Sequence, residues 1–275
     1  MPFVEVGDLS IHYEIAGRGE PLVLLHGMGN NSQSWRKQIS ELQEHFTIIA
    51  WDAPGYGASS DPQYELRSFC QFADILKGFL EKLPYQSVNL LGHSMGAAIA
   101  IDFCHRYPSQ VKSLIISDAT RGAAALDQEE NEKRLKNRLN SIETLDPQEI
   151  AKRRVKELLA PQASDEVRRE AERIMAQVRP AGYRSVAYSL YHVNQMDLLS
   201  AISIPTLVIC GELDKVTPVS ESRIFHESMP QSEFVIIPET GHLCYQEDSA
   251  TFNRHILNFL SGKHSDRERE DVCAQ

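Results

Sequence analysis

Residues Ser87 to Tyr107, SVNLLGHSMGAAIAIDFCHRY, contain a short apolar run followed by a serine between two glycines. The run from Val88 to Leu91 has the length of a β-strand, and the small residues after Ser94 are typical of a helix. A strand that becomes a helix within one or two residues strains the backbone at its central residue, and Gly92 and Gly96 leave room for this turn. A chance Gly-Ser turn is the alternative, but the strand before it and the helix after it are the context that the G-x-S-x-G motif requires. The pattern predicts that Ser94 lies at the end of a sheet as a candidate nucleophile.

The length and composition are those of one large domain that needs no disulfide or metal for stability. A chain of 275 residues buries on the order of three quarters of its unfolded surface. The 38 acidic and 28 basic residues give a formal charge of −10, which argues against a nucleic-acid partner. The N-terminal residues lack a basic start and an apolar core, and no run approaches about 18 apolar residues. With five cysteines and no C-x-x-C pair, these features predict a cytoplasmic protein with free thiols and no membrane partner.

Eight segments have the length and the apolar pattern of strands. They are Phe3–Val6, Leu9–Ile15, Leu22–Leu25, Phe46–Trp51, Val88–Leu91, Val111–Ile116, Thr206–Gly211 and Glu233–Ile237. The first two predict an antiparallel hairpin at the edge of a sheet. Helical patterns at Trp35–Leu42, at Leu66–Leu83 and after Ser94 lie between strands, and one at Ala250–Leu260 closes the fold. This alternation predicts an α/β fold, with a mostly parallel sheet flanked by helices.

The segment from Arg121 to Leu199 is charged and lacks strand patterns. Helices are expected at Glu129–Leu145, Asp146–Leu159, Ser164–Val178 and Tyr183–Val193. An insertion after a strand, at the carboxyl edge of the sheet, lies over the place where Ser94 emerges. We therefore expect a core of residues 1–120 and 200–262, an inserted helical cap of residues 121–199, and a disordered charged tail of residues 263–275.

Two loops after later strands contain candidates for a base and an acid. A serine hydroxyl becomes a good nucleophile when a base takes its proton and a carboxylate orients that base. Asp214 and His242 each follow a strand end by a few residues, so both are expected to reach the end of the sheet where Ser94 lies. Asp118, which follows the strand after the serine turn, is the rival for the carboxylate. Asp214 is preferred because its loop is bounded by a glycine and a proline and faces the loop of His242.

Other residues are expected to complete the site. Backbone N–H groups of Met95, directly after the serine, and of Met28, in a glycine-containing loop, are the predicted donors to an oxyanion. His93 is expected to pack beneath the turn, and His26 to hold its own loop by hydrogen bonds. The residues expected near the substrate are Trp35, Arg121, Tyr188, His192 and Leu243.

These motifs together resemble the α/β-hydrolase superfamily over essentially the whole chain. The matching residues, in the order of that family, are His26-Gly27, Asp52-x-x-Gly55-x-Gly57, Gly92-x-Ser94-x-Gly96, Gly211-x-x-Asp214 and Gly241-His242. Within the superfamily, residues 182–209 resemble the small esterases and lactonases similar to 3-oxoadipate enol-lactonase. Dehalogenases and epoxide hydrolases of this fold carry Asp as nucleophile, where this chain has Ser94.

The resemblance implies a serine hydrolase that cleaves a small carboxylic ester or lactone through an acyl-enzyme on Ser94. It implies no metal and no organic cofactor, and the partner is a small-molecule substrate; the sequence sets no oligomeric state. Two alternatives stay open. One is a hydrolase of carbon–carbon bonds in ring-fission products, although such enzymes typically have Asn and Trp where this chain has His93 and Leu243. The other is a ligand sensor with this fold and little turnover.

Overall fold

The computed structural model describes residues 2–262, so the expectation for the tail, 263–275, lies outside the described residues. Within these residues, eight strands form one sheet: β1 Phe3–Val6, β2 Leu9–Gly17, β3 Glu20–Leu25, β4 Phe46–Trp51, β5 Val88–His93, β6 Val111–Ser117, β7 Thr206–Gly211 and β8 Ser232–Ile237. Their order across the sheet is β1-β2-β4-β3-β5-β6-β7-β8. Strand β2 runs antiparallel to β1 and β4, and every other pairing is parallel. The predicted mostly parallel sheet with an antiparallel hairpin at its edge is confirmed.

The α-helices of residues 2–262 flank the sheet or lie between β6 and β7. They are α1 Arg36–Leu42, α2 Phe69–Leu80, α3 Met95–Arg106, α4 Gln128–Thr144, α5 Pro147–Leu158, α6 Asp165–Met175, α7 Pro180–His192, α8 Met196–Leu199, α9 Val219–Ser228, α10 Cys244–Glu247 and α11 Ser249–Leu260. Of these, α8, α9 and α10 have no counterpart among the predicted helices. No described helix is both long enough and apolar enough to cross a membrane.

The hydrophobic core lies on both faces of the sheet because side chains alternate along each strand. On β3, Val23 and Leu25 face one core, to which α2 and α3 contribute, whereas Leu22 and Leu24 face the other, to which α1 and α11 contribute. All four side chains are fully buried. Burial of such a side chain contributes about 1.5–3 kcal/mol, so this central strand is fixed firmly between its neighbours.

Helix α2 is shorter at both ends than the predicted range of Leu66–Leu83. Ser68 forms a capping box with Gln71, and this fixes the start of the helix at the next residue, Phe69. The helix ends at Leu80, and Pro84 disfavours its continuation through Leu83, because a residue that precedes proline avoids the helical conformation. The apolar periodicity therefore gave the correct helix, and the cap and the proline set its ends.

The segment between β6 and β7, which we call the helical insertion (residues 121–199), contains three helices that begin at polar caps. The side chains of Asp127, Asp146 and Ser164 accept hydrogen bonds from the first turns of α4, α5 and α6. The insertion is also held to the rest of the protein. At the start of α7, the Arg179 guanidinium donates to the backbone carbonyls of Gly57 and Ser59 and pairs with the Asp61 carboxylate. One end of the insertion is thereby anchored to the loop after β4.

Candidate active site

Ser94 occupies a strained turn between β5 and α3. Its φ of 52° and ψ of −113° are unusual for a residue with a side chain. A Cβ atom on Gly92 would lie 2.2 Å from the carbonyl oxygen of Gly96, and one on Gly96 would lie 2.1 Å from that of Leu25. Neither position accepts a side chain without a shift of the backbone. The two glycines thus allow the close strand-to-helix turn that the sequence predicted, and Ser94 itself stays half-buried.

Asp214 and His242, in the loops after β7 and β8, form a buried hydrogen-bonded pair. The Nδ1–H of His242 donates to Oδ2 of Asp214 over 2.7 Å, and the two residues are 3% and 5% exposed. Asp214 also accepts the backbone N–H groups of Val216 and Thr217 and, over 2.7 Å, the Thr217 hydroxyl. Because Nδ1 carries the proton, Nε2 of the neutral imidazole is left as an acceptor. This arrangement gives His242 the form that a general base needs.

The charges of this pair support each other. Burial lowers the pKa of His242, but the negative charge of Asp214 and its hydrogen bond outweigh burial, so the pKa is raised from 6.5. Burial likewise raises the pKa of Asp214, but His242 and the hydrogen bonds from Thr217 outweigh it, and the net shift is downward. An ionised Asp214 beside His242 favours an imidazolium, which is the species that a base becomes after it accepts a proton.

Asp118, the rival carboxylate, has other hydrogen-bond partners. Its Oδ1 accepts the N–H of Gly211 over 2.9 Å, and its Oδ2 accepts the Ser117 hydroxyl over 2.6 Å and the Cys244 thiol over 3.1 Å. Burial, together with the charge of Asp214, raises the pKa of Asp118 to about 7. Among residues 2–262, the carboxylate that accepts from the imidazole of His242 is therefore that of Asp214.

Asp118, Asp214 and His242 also offer ligand-type atoms within 4.8 Å of one another. Such a group of acids and an imidazole is the kind of cluster that holds a cation. Here N–H, O–H and S–H donors already point at the carboxylate oxygens, as described above. Donors in these positions suit a hydrogen-bonded network better than a metal ion.

The loop of His242 is fixed by partners that the sequence did not reveal. The His242 N–H donates to the carbonyl of Leu158 at the end of α5 over 2.7 Å, and Nε2–H of His93 donates to the His242 carbonyl over 2.7 Å. The Glu247 carboxylate accepts the N–H groups of Ala160 and Gly241, each over 2.9 Å. Burial and the adjacent His242 lower the pKa of His93 to about 3, so His93 is neutral. His93 packs beneath the turn, as predicted.

His26 holds the loop after β3. Its Nδ1–H donates to the carbonyl of Gly27 over 2.9 Å, and its Nε2 accepts the N–H of Ala53 over 3.0 Å. The expectation for His26 is confirmed. The loop places Met28 beside the cavity described below, while Met95 is the first residue of α3, where a backbone N–H has no acceptor within the helix. The assignment of the Met28 and Met95 backbone N–H groups as donors to an oxyanion remains a prediction.

Ser94 and His242 line one cavity of about 60 Å³ under the helical insertion. Its walls include Met28, Thr217 and Leu243 from the core and Arg138, Arg154 and Leu158 from the insertion. A neighbouring outer cavity of about 240 Å³ shares six of its lining residues, namely Thr120, Arg134, Arg138, Leu190, Val216 and Thr217. The two cavities therefore adjoin along these six residues.

Of the five predicted substrate residues, Leu243 lines the serine cavity, and the other four do not line it in the described chain. Trp35 is fully buried against Tyr245, with ring centroids 4.3 Å apart, so it belongs to the core. The Arg121 guanidinium makes two hydrogen bonds to the Glu221 carboxylate, over 2.6 and 2.7 Å.

Tyr188 and His192 lie on other surfaces of α7. The guanidinium carbon of Arg67 is 4.6 Å from the centre of the Tyr188 ring. His192 is exposed and packs edge-on against the ring of Tyr191. The residue of α7 that lines the serine cavity is Leu190.

Comparisons with known proteins agree with this architecture. The esterase from Thermogutta terrifontis, in a malate-bound structure, is 26% identical, with a TM-score of 0.87 over 96% of this chain and 100% of that one. The enol-lactonase from Burkholderia xenovorans LB400 has a TM-score of 0.86 over 94% of this chain and 100% of that one; its 18% identity shows the fold alone. The 2-hydroxy-6-oxo-6-(2'-aminophenyl)hexa-2,4-dienoic acid hydrolase of Metapseudomonas resinovorans is 28% identical, over 94% of this chain and 90% of that protein. A sequence model of the alpha/beta hydrolase fold matches residues 20–249, and the chain therefore belongs to the alpha/beta hydrolase fold family.

Proposed function

We propose that this protein is a serine hydrolase that cleaves a small carboxylic ester or lactone through an acyl-enzyme on Ser94. The observation that carries this proposal is the buried hydrogen bond between His242 and Asp214, 2.7 Å long, in a site where His242 shares a cavity with Ser94. A base that is oriented by a carboxylate and placed beside a strained serine is the arrangement that activates a hydroxyl.

The proposed reaction has two halves. In the first, Nε2 of His242 takes the proton of Ser94 as Oγ attacks the carbonyl carbon, and Asp214 stabilises the resulting imidazolium. The imidazolium then gives its proton to the leaving alcohol, which leaves the acyl group on Ser94. In the second half, His242 takes a proton from water as the water attacks the acyl carbon, and the imidazolium then gives that proton to Oγ of Ser94 as the acyl–Oγ bond breaks and the carboxylic acid is released.

The negative charge that develops on the carbonyl oxygen needs donors. We assign this role to the backbone N–H groups of Met28, in the loop after β3, and of Met95, the first residue of α3. Two such preorganised donors contribute several kcal/mol, and the loss of one side-chain donor in a comparable site costs about 10²- to 10³-fold in rate. We further propose that residues 121–199 act as a cap that selects the substrate, and the predicted cytoplasmic location stays part of this proposal.

Carbon–carbon bond hydrolysis is the second candidate. It is favoured by the relative from Metapseudomonas resinovorans, which is named for a dienoic acid, at 28% identity. His93 and Leu243, which flank the candidate nucleophile and base, differ from the Asn and Trp typical of such enzymes. Ester or lactone hydrolysis is therefore our first choice.

The test is a substrate panel assayed with the natural protein and with Ser94→Ala. The panel contains 4-nitrophenyl esters of short acids, simple lactones and a ring-fission product. We expect multiple turnovers of an ester or lactone by the natural protein and a loss of at least about 10³-fold in Ser94→Ala. Thermal unfolding of both proteins checks that the fold is kept. Undiminished turnover by Ser94→Ala would rule out the acyl-enzyme, and a single burst without steady turnover would favour a sensor.

A further inference from the structure

The helical insertion brings three guanidinium groups to the serine cavity. Arg134 and Arg138 are one turn apart on α4, so both project from the same face of that helix, and Arg154 comes from α5. All three line the cavity that contains Ser94 and His242. None of the described residues that line this cavity is an aspartate or a glutamate. The wall that the insertion contributes to this cavity is therefore positively charged, in a chain whose formal net charge is −10.

Arg138 differs from the other two arginines in its partners. Arg134 pairs with Glu130 over 2.9 Å, and Arg154 pairs with Glu157 on its own helix. Arg138 is half-buried, and it has no ion pair and no hydrogen bond with any of residues 2–262. Burial, together with the like charge of Arg154, lowers the pKa of Arg138 to about 10, so the guanidinium is still charged at neutral pH. A partly desolvated cation without a counterion is unfavourable, and an anion from outside the chain would relieve it.

The outer cavity continues the positive surface. It contains Arg134 and Arg138 and adds the exposed Lys215. Its acidic member is Glu221, whose two carboxylate oxygens are both engaged by Arg121. The outer cavity, which adjoins the serine cavity, thus favours the approach of an anion.

We infer that Arg138 and Arg154 bind a carboxylate of the substrate, so that the preferred ester or lactone bears a free carboxylate remote from the carbonyl that Ser94 attacks. A half-ester of a small dicarboxylic acid has this chemistry. The planar guanidinium fork matches the two oxygens of a carboxylate, and two such groups on adjacent helices fix both its position and its orientation. This inference rests on the proposed function, because it names the substrate class of the same site.

The first experiment compares two esters of equal chain length. The mono-4-nitrophenyl ester of glutaric acid carries the distal carboxylate, and 4-nitrophenyl valerate lacks it. We expect the natural protein to have a kcat/KM at least about 10-fold higher for the half-ester, since hydrogen bonds to charged groups are worth about 10- to 100-fold each. Arg138→Met should lower kcat/KM for the half-ester, mainly through KM, by at least about 10-fold more than it lowers kcat/KM for valerate. Arg138→Lys should retain part of the preference.

Arg153→Met is the matched control, because Arg153 lies next to Arg154 on α5 but is exposed and paired with Glu149. This variant should keep the preference for the half-ester. An equal loss on both substrates in Arg138→Met would show a structural role and overturn the inference. A natural protein that hydrolyses valerate through Ser94 without any preference for the half-ester would also overturn it, while the proposed function would stand.

The second experiment measures binding without turnover. Glutarate is titrated by calorimetry into Ser94→Ala and into Ser94→Ala with Arg138→Met, and inorganic phosphate is titrated in parallel. We expect glutarate to bind the first protein at least about 10-fold more tightly than the second. If Ser94→Ala still hydrolysed esters, the proposed function would fail, yet Arg138-dependent glutarate binding would support the anion site. Phosphate binding tighter than glutarate binding, or glutarate binding that ignores Arg138, would overturn the carboxylate assignment.

Discussion

Replacement of Asp214 by asparagine tests the proposed mechanism at its most sensitive hydrogen bond. Oδ1 of Asp214 accepts the backbone N–H groups of Val216 and Thr217, so the amide oxygen of the asparagine must take this position. The amide NH₂ group then lies where Oδ2 was, 2.7 Å from Nδ1 of His242. Two donors cannot face each other, so the imidazole proton moves to Nε2. In that form His242 cannot take the proton of Ser94.

The expected magnitude follows from the loss of both the tautomer and the charge. An imidazole in the wrong tautomer lowers kcat by about 10⁴-fold in this kind of site, which corresponds to about 5.4 kcal/mol of transition-state stabilisation. Steady-state hydrolysis of 4-nitrophenyl butyrate measures this loss. Thermal unfolding of the variant confirms that the lost rate does not come from a lost fold.

Asp118→Asn is the matched control. Asp118 has a φ of 47°, a conformation that asparagine tolerates better than most residues, and the amide oxygen can still accept the N–H of Gly211. We expect kcat to fall by less than about 10-fold in this variant, because its carboxylate does not accept from the imidazole. If Asp214→Asn kept more than a tenth of the natural kcat while Asp118→Asn lost about 10³-fold, the assignment of the acid would be refuted.

Three further outcomes are expected. Asp214 holds the pKa of His242 above 6.5, and only the neutral imidazole accepts a proton, so kcat/KM should rise with pH through a midpoint above 6.5. In Asp214→Asn this midpoint should move to lower pH. A midpoint below 6.5 in the natural protein would contradict this prediction. Gly96→Ala should lower the free energy of unfolding by about 3 kcal/mol or more, since the new Cβ would lie 2.1 Å from a carbonyl oxygen of β3. A denaturant titration measures this loss, and an unchanged denaturation midpoint would argue against the tight turn. The Cys244 thiol is fully buried, and burial raises its pKa. Iodoacetamide should therefore alkylate it at least about 100-fold more slowly in the folded than in the denatured protein, as measured by mass spectrometry. Equal rates would show that this site opens readily.

Local patterns were sufficient to predict the strands and the turn at Ser94. An apolar run with the length of a strand is visible directly in the sequence. The turn at Ser94 requires the glycines that lie two positions before and two positions after the serine. The positions of Asp214 and His242 followed from a general rule, since loops at the carboxyl ends of parallel strands lie at one edge of the sheet. The starts of helices in the insertion were also local, because Asp146 and Ser164 cap the helices that follow them.

The cavity walls depend on contacts between distant parts of the chain. In the sequence, Arg121 and Arg138 are both cations in a charged segment, and nothing local tells them apart. In the structure, Arg121 pairs with Glu221 of α9, a helix that was not predicted. The sequence analysis did not single out Arg138, and the packing of α4 in the insertion places it on the wall of the serine cavity. Trp35 reads as a residue of the substrate pocket, but its ring packs against Tyr245, more than two hundred positions later in the sequence. Such pairings leave no local signal.

The link between Leu158 and His242 has a consequence for the design of chimeras. The carbonyl of Leu158 receives the N–H of His242, and Glu247 holds Ala160 and Gly241 together. A transplanted insertion that does not place a backbone carbonyl at this position would leave the His242 N–H without its acceptor, whatever substrate pocket the insertion was chosen to create. Exchange of substrate specificity with a relative should therefore succeed only when the junction 158–160 and the segment 241–247 are transferred as one unit.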